Sequence, residues 1–226
     1  MLLEIIAASL EDVRDLNRTG ADRIELCGEM DKDGLTPEYD LIREAVQESE
    51  IPVNVMIRPH DDAFSYTDRE IGQMIEDINF VKKSGANGIV LGVITDEHVV
   101  DPASLKKLVD AAGDMEITFH KAFDEIEDQI TALEVLSQYP QIRTVLTSGG
   151  AGSSADNTEQ LKKLVSRGKE LGITVMPGGG INMENVSEIV DTAAPDAIHF
   201  GTGVREDGSF GSRVLGEKIA ELKDIL

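Results

Sequence analysis

Three side chains capable of acid, base or anion-binding chemistry lie at or near the ends of separate apolar segments. Glu25 lies inside one such segment, while Arg58 and His120 directly follow two others. A carboxylate and an imidazole can exchange protons with a ligand, and a guanidinium can hold a carboxylate or phosphate by two parallel hydrogen bonds. We therefore interpret Glu25, Arg58 and His120 as candidate catalytic residues. The alternative is a buried salt-bridge network without a ligand.

Two further residues follow His120 in the same loop. Asp124 is a fourth catalytic candidate, which either orients a substrate or caps the next helix. Lys121 suggests a Schiff base, since barrel enzymes often carry a lysine at a strand end. Its parity is opposite to that of His120, which directs it toward the helix layer or solvent if the strand stays regular.

Glycine-rich tracts follow three of the apolar segments. Glycine lets backbone N–H groups approach an anion closely, and phosphate sites in α/β barrels form after the last two strands. The alternative is a set of tight turns. The predicted anion-binding residues are Ser148, Gly149, Gly150, Gly178, Gly179, Gly180 and Gly201.

Cys27 is the only cysteine and the predicted metal ligand. The other soft donors are Met56, Met176, His120 and His199, which have no close ligand spacing and meet only if the fold gathers them. The alternative is that these cysteine and methionine side chains are core residues without a metal.

Eight apolar segments alternate with helical patterns, which predicts a single (β/α)8 TIM barrel over residues 1–226. The predicted strands are Leu2–Ala7, Asp22–Cys27, Val53–Ile57, Gly88–Val93, Glu116–Phe119, Arg143–Leu146, Ile173–Met176 and Ala197–Phe200. A capping box at Thr67 and capping residue plus proline pairs at Asp101 and Thr36 mark helix starts.

Alternation within the strands separates two faces. Val53, Val55 and Ile57 are apolar and belong under the helices, whereas Asn54 and Arg58 share the opposite parity. That face also carries Glu4, Glu25, Cys27, Met56, Thr118 and His120. Buried charges must pair or bind something. We expect Glu25, Arg58 and His120 to face one cavity at the carboxyl ends of the strands.

The chain is strongly acidic. Its 43 acidic and 21 basic residues give a net charge of −22, which repels phosphate backbones and disfavours nucleic-acid partners. The surface is either solubilising or adapted to high salt. No segment reaches the ~20 apolar residues of a membrane span, and neither a basic leader nor a cysteine pair is present. The sequence therefore predicts a cytoplasmic protein.

Several motifs together resemble the CutC family. They are Arg23-Ile24-Glu25-Leu26-Cys27, Gly34-Leu35-Thr36-Pro37, Val55-Met56-Ile57-Arg58-Pro59, Thr118-Phe119-His120-Lys121-Ala122-Phe123-Asp124, Leu146-Thr147-Ser148-Gly149-Gly150 and Met176-Pro177-Gly178-Gly179-Gly180-Ile181. The resemblance implies a cytoplasmic (β/α)8 barrel, a homo-oligomer, and a role in copper homeostasis with Cu(I) binding. The chain departs from the family pattern in three places: His60-Asp61-Asp62 replaces an arginine and a glycine pair, Lys121 replaces a common arginine, and Ser65 replaces a second cysteine of some relatives.

The sequence is compatible with three classes of function. The first is copper homeostasis, with the copper ion as ligand. The alternative is an enzyme that acts on a small anionic metabolite, held by Arg58 and the glycine loops while Glu25 and His120 move protons. Carboxylate and guanidinium groups favour the enzyme, because Cu(I) prefers sulfur ligands. A non-catalytic barrel acting through protein contacts is the third.

Overall fold

The computed structural model describes residues 1–226 as eight strands, each followed by a helix. The strands are β1 Leu2–Ala7, β2 Arg23–Leu26, β3 Val53–Met56, β4 Gly88–Leu91, β5 Glu116–Phe119, β6 Ile142–Thr147, β7 Thr174–Pro177 and β8 Ala197–Phe200. The helices are α1 Leu10–Leu16, α2 Tyr39–Glu48, α3 Asp68–Ser84, α4 Pro102–Ala112, α5 Gln129–Leu136, α6 Thr158–Leu171, α7 Val186–Ala193 and α8 Gly216–Ile225. None of these helices has the length and apolarity that crossing a bilayer requires.

All neighbouring strands are parallel, in the order β7-β6-β5-β4-β3-β2-β1-β8. Strands β7 and β8 lie side by side without a hydrogen-bonded ladder, so the barrel is nearly closed. The predicted (β/α)8 architecture is confirmed. The carboxyl ends of all eight strands consequently surround one mouth.

Strand parity divides the apolar residues as expected. Val53, Val55 and Ile57 belong to the main core between sheet and helices. The barrel interior contains two small apolar clusters, one of Ile6, Cys27, Met56 and Val90 and one of Leu146, Met176 and Ala197. Most of the other inward positions are polar, which places charged side chains inside the barrel.

Two of the three predicted helix starts are confirmed. Thr67 forms a capping box with Glu70, and Asp101 caps α4 ahead of Pro102. The prediction at Thr36 is wrong, because α2 begins at Tyr39. The Thr36 hydroxyl instead accepts a hydrogen bond from the Arg58 backbone N–H at 2.9 Å, which fixes the loop after β3.

Candidate functional site

A buried ionic cluster occupies the barrel interior. Glu4 accepts hydrogen bonds from Arg23 and, at 2.8 Å, from His199 Nδ1. The other ring nitrogen of His199 lies 3.7 Å from Glu25 Oε2, which also accepts from the Cys27 thiol at 3.4 Å. The strand register explains the cluster, because Glu4 is paired with Arg23 on one side and His199 on the other.

The members of this cluster set one another's protonation. Burial alone would raise the pKa of Glu4, but the hydrogen bond from His199 and the charge of Arg23 lower it. Burial, together with the charge of Glu4, raises the pKa of Glu25. Burial opposes a charged His199, yet the two carboxylates raise its pKa. Glu25 is therefore the carboxyl group that most readily keeps a proton.

The same cluster has a donor set suited to a cation. One ligating atom each from Glu4, Glu25 and His199 lies within 4.8 Å of the others. Carboxylates and imidazole suit a hard or borderline divalent ion better than Cu(I), and Arg23 adds an opposing positive charge. The cluster is thus a poor copper site.

Arg58 lies apart from Glu25. Its Nη1 donates to the carbonyl oxygens of Lys32, Asp33 and Gly34 at 3.2–3.3 Å, and its guanidinium carbon lies 4.7 Å from the Phe64 ring centroid. Its Nε is buried without a partner. The hypothetical Glu25–Arg58 salt bridge is absent, because Arg23 supplies the cation of the interior network.

His120 directly follows β5 and caps the short helix after it. Its Nδ1 accepts a hydrogen bond from the Ala122 N–H at 3.1 Å, which places the proton of the neutral ring on Nε2. Burial, with a further effect from the Arg58 charge, lowers the pKa of His120 to about 3. The glycine directly after β4 makes room for the ring, since a Cβ at Gly92 would overlap it. These contacts favour a neutral hydrogen-bond donor over a base.

Asp124 organises the loop that carries it. Its carboxylate accepts hydrogen bonds from the Thr147 hydroxyl and from the Ser148 N–H and hydroxyl, the last two at 3.0 and 2.7 Å. The expectation that it caps the next helix is wrong, because Asp128 caps α5. Asp124 joins the ends of β5 and β6.

Lys121 does not point into the helix layer. The strand ends at Phe119 and the chain continues as a short helix, so strand parity does not extend to this residue. Its half-exposed side chain lines the mouth, with Nζ 3.0 Å from the position that a Cβ on Gly179 would occupy. A cation therefore faces the glycine tract after β7.

The glycine tracts divide into used and unused donors. The Ser148 N–H donates to Asp124, and the N–H groups of Gly149 and Gly178 donate to the hydroxyl and carbonyl oxygens of Thr147, both at 2.9 Å. The N–H groups of Gly150, Gly179, Gly180 and Gly201 have no protein acceptor. Among the predicted anion-binding residues, only these four have a backbone N–H group free to bind an anion.

A cavity of about 1220 Å³ opens at the mouth. Its inner wall includes Arg58, Phe64, Lys121, Asp124 and Ser148. Its rim is acidic, with the exposed side chains of Asp33, Glu97, Glu125, Glu127 and Asp128. Of the three residues expected to share one cavity, only Arg58 lines it. Glu25 lies deeper in the barrel and His120 lies against Phe64, at 5.0 Å between ring centroids.

Cys27 lies in a sulfur-rich location between the interior cluster and the mouth. It is buried and packs with Met56 in a small apolar cluster, and Met30 packs against that apolar cluster. A Cβ at Gly34 would contact Cys27 Sγ at 3.4 Å and Met30 Sδ at 3.6 Å, so both sulfurs border this glycine. Burial, followed by the charge of Glu25, raises the pKa of the Cys27 thiol well above its usual value.

Two buried arginines were not predicted from the sequence as functional or structural residues. Arg23 shares the inward parity of Glu25, and this pattern could have identified it as a residue of the barrel interior. Arg205 pairs with Asp12 across 193 residues, and nothing local in the sequence indicates that contact.

The fold and site define a class: (β/α)8 barrel proteins with an ionic interior and a ligand-sized cavity at the carboxyl end of the strands. Residues 1–204 match the model of the CutC family, and the chain belongs to this family. A CutC family protein of Pasteurella multocida is 37% identical over 220 residues, covering 96% of this chain and 89% of that protein. The copper homeostasis protein cutC homolog of Homo sapiens is 38% identical over 198 residues, covering 88% and 72%.

Solved structures agree with this assignment. The crystal structure of CutC from Streptococcus agalactiae superimposes with a TM-score of 0.82 at 32% identity, covering 89% of this chain and 98% of that chain. Phosphoribosyl anthranilate isomerase from Thermococcus kodakaraensis has a TM-score of 0.65 at 18% identity, covering 99% and 97%, and shares the fold.

Proposed function

We propose that this protein acts in copper homeostasis by binding Cu(I) at Cys27. The observation that carries the proposal is the sulfur environment of Cys27, with Met30 and Met56 beside it. Thiolate and thioether groups are the ligands that Cu(I) prefers. The human relative is named as a copper homeostasis protein, which supports the same role.

The proposal includes a cytoplasmic location and a homo-oligomer. A single cysteine cannot form an internal disulfide, which suits a reducing compartment, where Cu(I) is also the stable copper ion. The homo-oligomer rests on the family resemblance.

Substitution of Cys27 by serine is expected to weaken Cu(I) binding at least about tenfold, or 1.4 kcal/mol, because a hydroxyl is a poor ligand for a soft ion. Competition with a colorimetric Cu(I) chelator under anaerobic conditions measures the affinity. Met115→Leu removes a sulfur remote from Cys27 and serves as the matched control. Equal affinities of wild type and Cys27→Ser would remove Cys27 from the site.

A second function is supported by the cavity at the mouth. It is an enzyme whose small anionic metabolite is held between Lys121 and the free N–H groups of Gly179 and Gly180 and extends inward to Glu25, the proton-exchanging group below the cavity. The observation in its favour is that a half-exposed ammonium and unused backbone donors converge on the same glycine tract. The raised pKa of Glu25 and its unpartnered Oε1 suit proton exchange.

We expect Lys121→Met to weaken inorganic phosphate binding about tenfold, since it removes the ammonium group beside the free N–H groups. Isothermal titration calorimetry of both proteins with phosphate measures this difference. Lys107→Met, on the surface of α4, controls for loss of one positive charge. If both variants bind phosphate as the wild type does, the anion site is elsewhere.

A further inference from the structure

Two hydrogen-bond donors lie unpaired beneath the loop 58–66. Arg58 and His120 are 6% and 3% exposed, and neither Arg58 Nε nor His120 Nε2 has a partner. Buried polar groups in folded proteins are nearly always hydrogen-bonded. Arg58 lines the mouth cavity and both side chains pack on the Phe64 ring, so one ligand atom between them would satisfy both donors.

The protonation states fix the chemical character of that atom. His120 is neutral, and its Nδ1 already accepts from Ala122, so Nε2 carries the proton. A guanidinium has no acceptor atom. Burial raises the pKa of Tyr66 to about 12, against the opposing charge of Arg58, and its buried hydroxyl therefore also keeps its proton. The Tyr66 hydroxyl can donate or accept, whereas Arg58 Nε and His120 Nε2 can only donate, so a ligand atom that satisfies both must be an acceptor.

The surrounding contacts hold these donors in place. Carbonyl oxygens of the loop after β2 orient Arg58 through Nη1, and the Thr36 hydroxyl fixes its backbone. The Phe64 ring packs on both Arg58 and His120 and also lines the mouth cavity. Phe64 therefore borders the cavity and both donor-bearing side chains.

We propose that the mouth cavity binds a small carboxylate whose oxygen accepts hydrogen bonds from Arg58 Nε and His120 Nε2 beneath Phe64. This inference deepens the second proposed function by naming its ligand class. His120 is then a neutral donor that stabilises negative charge on a ligand oxygen, as preorganised donors do in oxyanion sites.

The test uses full-length protein labelled with ¹⁵N at histidine, and pyruvate as the probe. Pyruvate is expected to shift the His120 Nε2 proton resonance downfield in a saturable manner. Pyruvamide, which lacks the carboxylate charge, is expected to bind more weakly. His120→Phe should weaken pyruvate binding about tenfold, whereas His120→Gln, which retains a side-chain donor, should stay within about threefold of the wild type.

Several results would overturn the proposal. One is an Nε2 proton resonance that pyruvate leaves unshifted, which indicates a buried water as the only partner. Another is unchanged pyruvate affinity in His120→Phe, which places the carboxylate elsewhere. The wild-type resonance decides the matter even if a variant fails to fold. Phosphate binding at Lys121 is measured separately, so a Lys121→Met protein that binds phosphate as the wild type does would contradict the second function and leave the carboxylate site standing.

Discussion

Replacing Arg205 by methionine is expected to lower the free energy of unfolding by about 3–5 kcal/mol, since it leaves a buried carboxylate without its counter-ion. Arg205 is 1% exposed. Its two terminal nitrogens donate to the Asp12 carboxylate at 3.1 and 2.9 Å, and also to the carbonyl oxygens of Ser212 and Ile6 at 2.8 and 3.2 Å. Urea unfolding followed by circular dichroism measures the loss.

Two comparisons isolate the buried pair. The double variant Arg205→Met/Asp12→Asn is expected to recover part of the loss, because no unpaired charge remains. Arg213→Met removes an exposed arginine that lies 3.4 Å from Asp15, and should cost about 1 kcal/mol or less. An Arg205→Met protein no less stable than Arg213→Met would contradict the buried-pair interpretation.

His120 is expected to make the protein less stable in acid, by about 2 kcal/mol between about pH 8 and pH 5. Its folded pKa of about 3 lies below the ordinary value of 6.5. Between these values the unfolded chain binds a proton that the folded protein excludes. Acidification therefore favours unfolding, and the free energy of unfolding decreases progressively as the pH falls below 6.5.

The variant His120→Gln has no titrating group at this position, so its stability should fall less steeply between the same pH values. The quantity to compare is the change in unfolding free energy with pH for each protein, which cancels any constant effect of the substitution. His98→Gln removes an exposed histidine as a control. Parallel pH profiles for wild type and His120→Gln would show that His120 is not excluded from protonation.

The barrel and its polar interior could be predicted because they depend on local patterns. Alternation within a strand places Asn54 and Arg58 opposite to Val53 and Val55 whatever the rest of the chain does. Eight such segments separated by helical patterns leave few architectures open. The family resemblance was likewise contained in short motifs, and the family match confirms it.

The hydrogen-bond and ion-pair partners of the buried charged residues could not be predicted in the same way. Parity placed Glu25 and Arg58 inside but did not give the register, which pairs Glu4 with Arg23 and leaves Arg58 to backbone carbonyls. Lys121 was misplaced because a short helix replaces the strand after Phe119. These outcomes depend on contacts between distant segments, which a single sequence does not encode in its periodicity.

The acidic rim of the mouth bears on how fast ligands arrive. Side chains such as Glu97, Glu125 and Glu127 surround the entrance, while the positive groups Arg58 and Lys121 lie on its inner wall. With a net charge of −22, the protein repels an anion during diffusional approach and attracts it only after entry. Added salt shortens the Debye length from ~30 Å at 0.01 M to ~8 Å at 0.15 M, which weakens this repulsion. Anionic ligands should therefore associate faster as ionic strength rises, the reverse of a steered encounter.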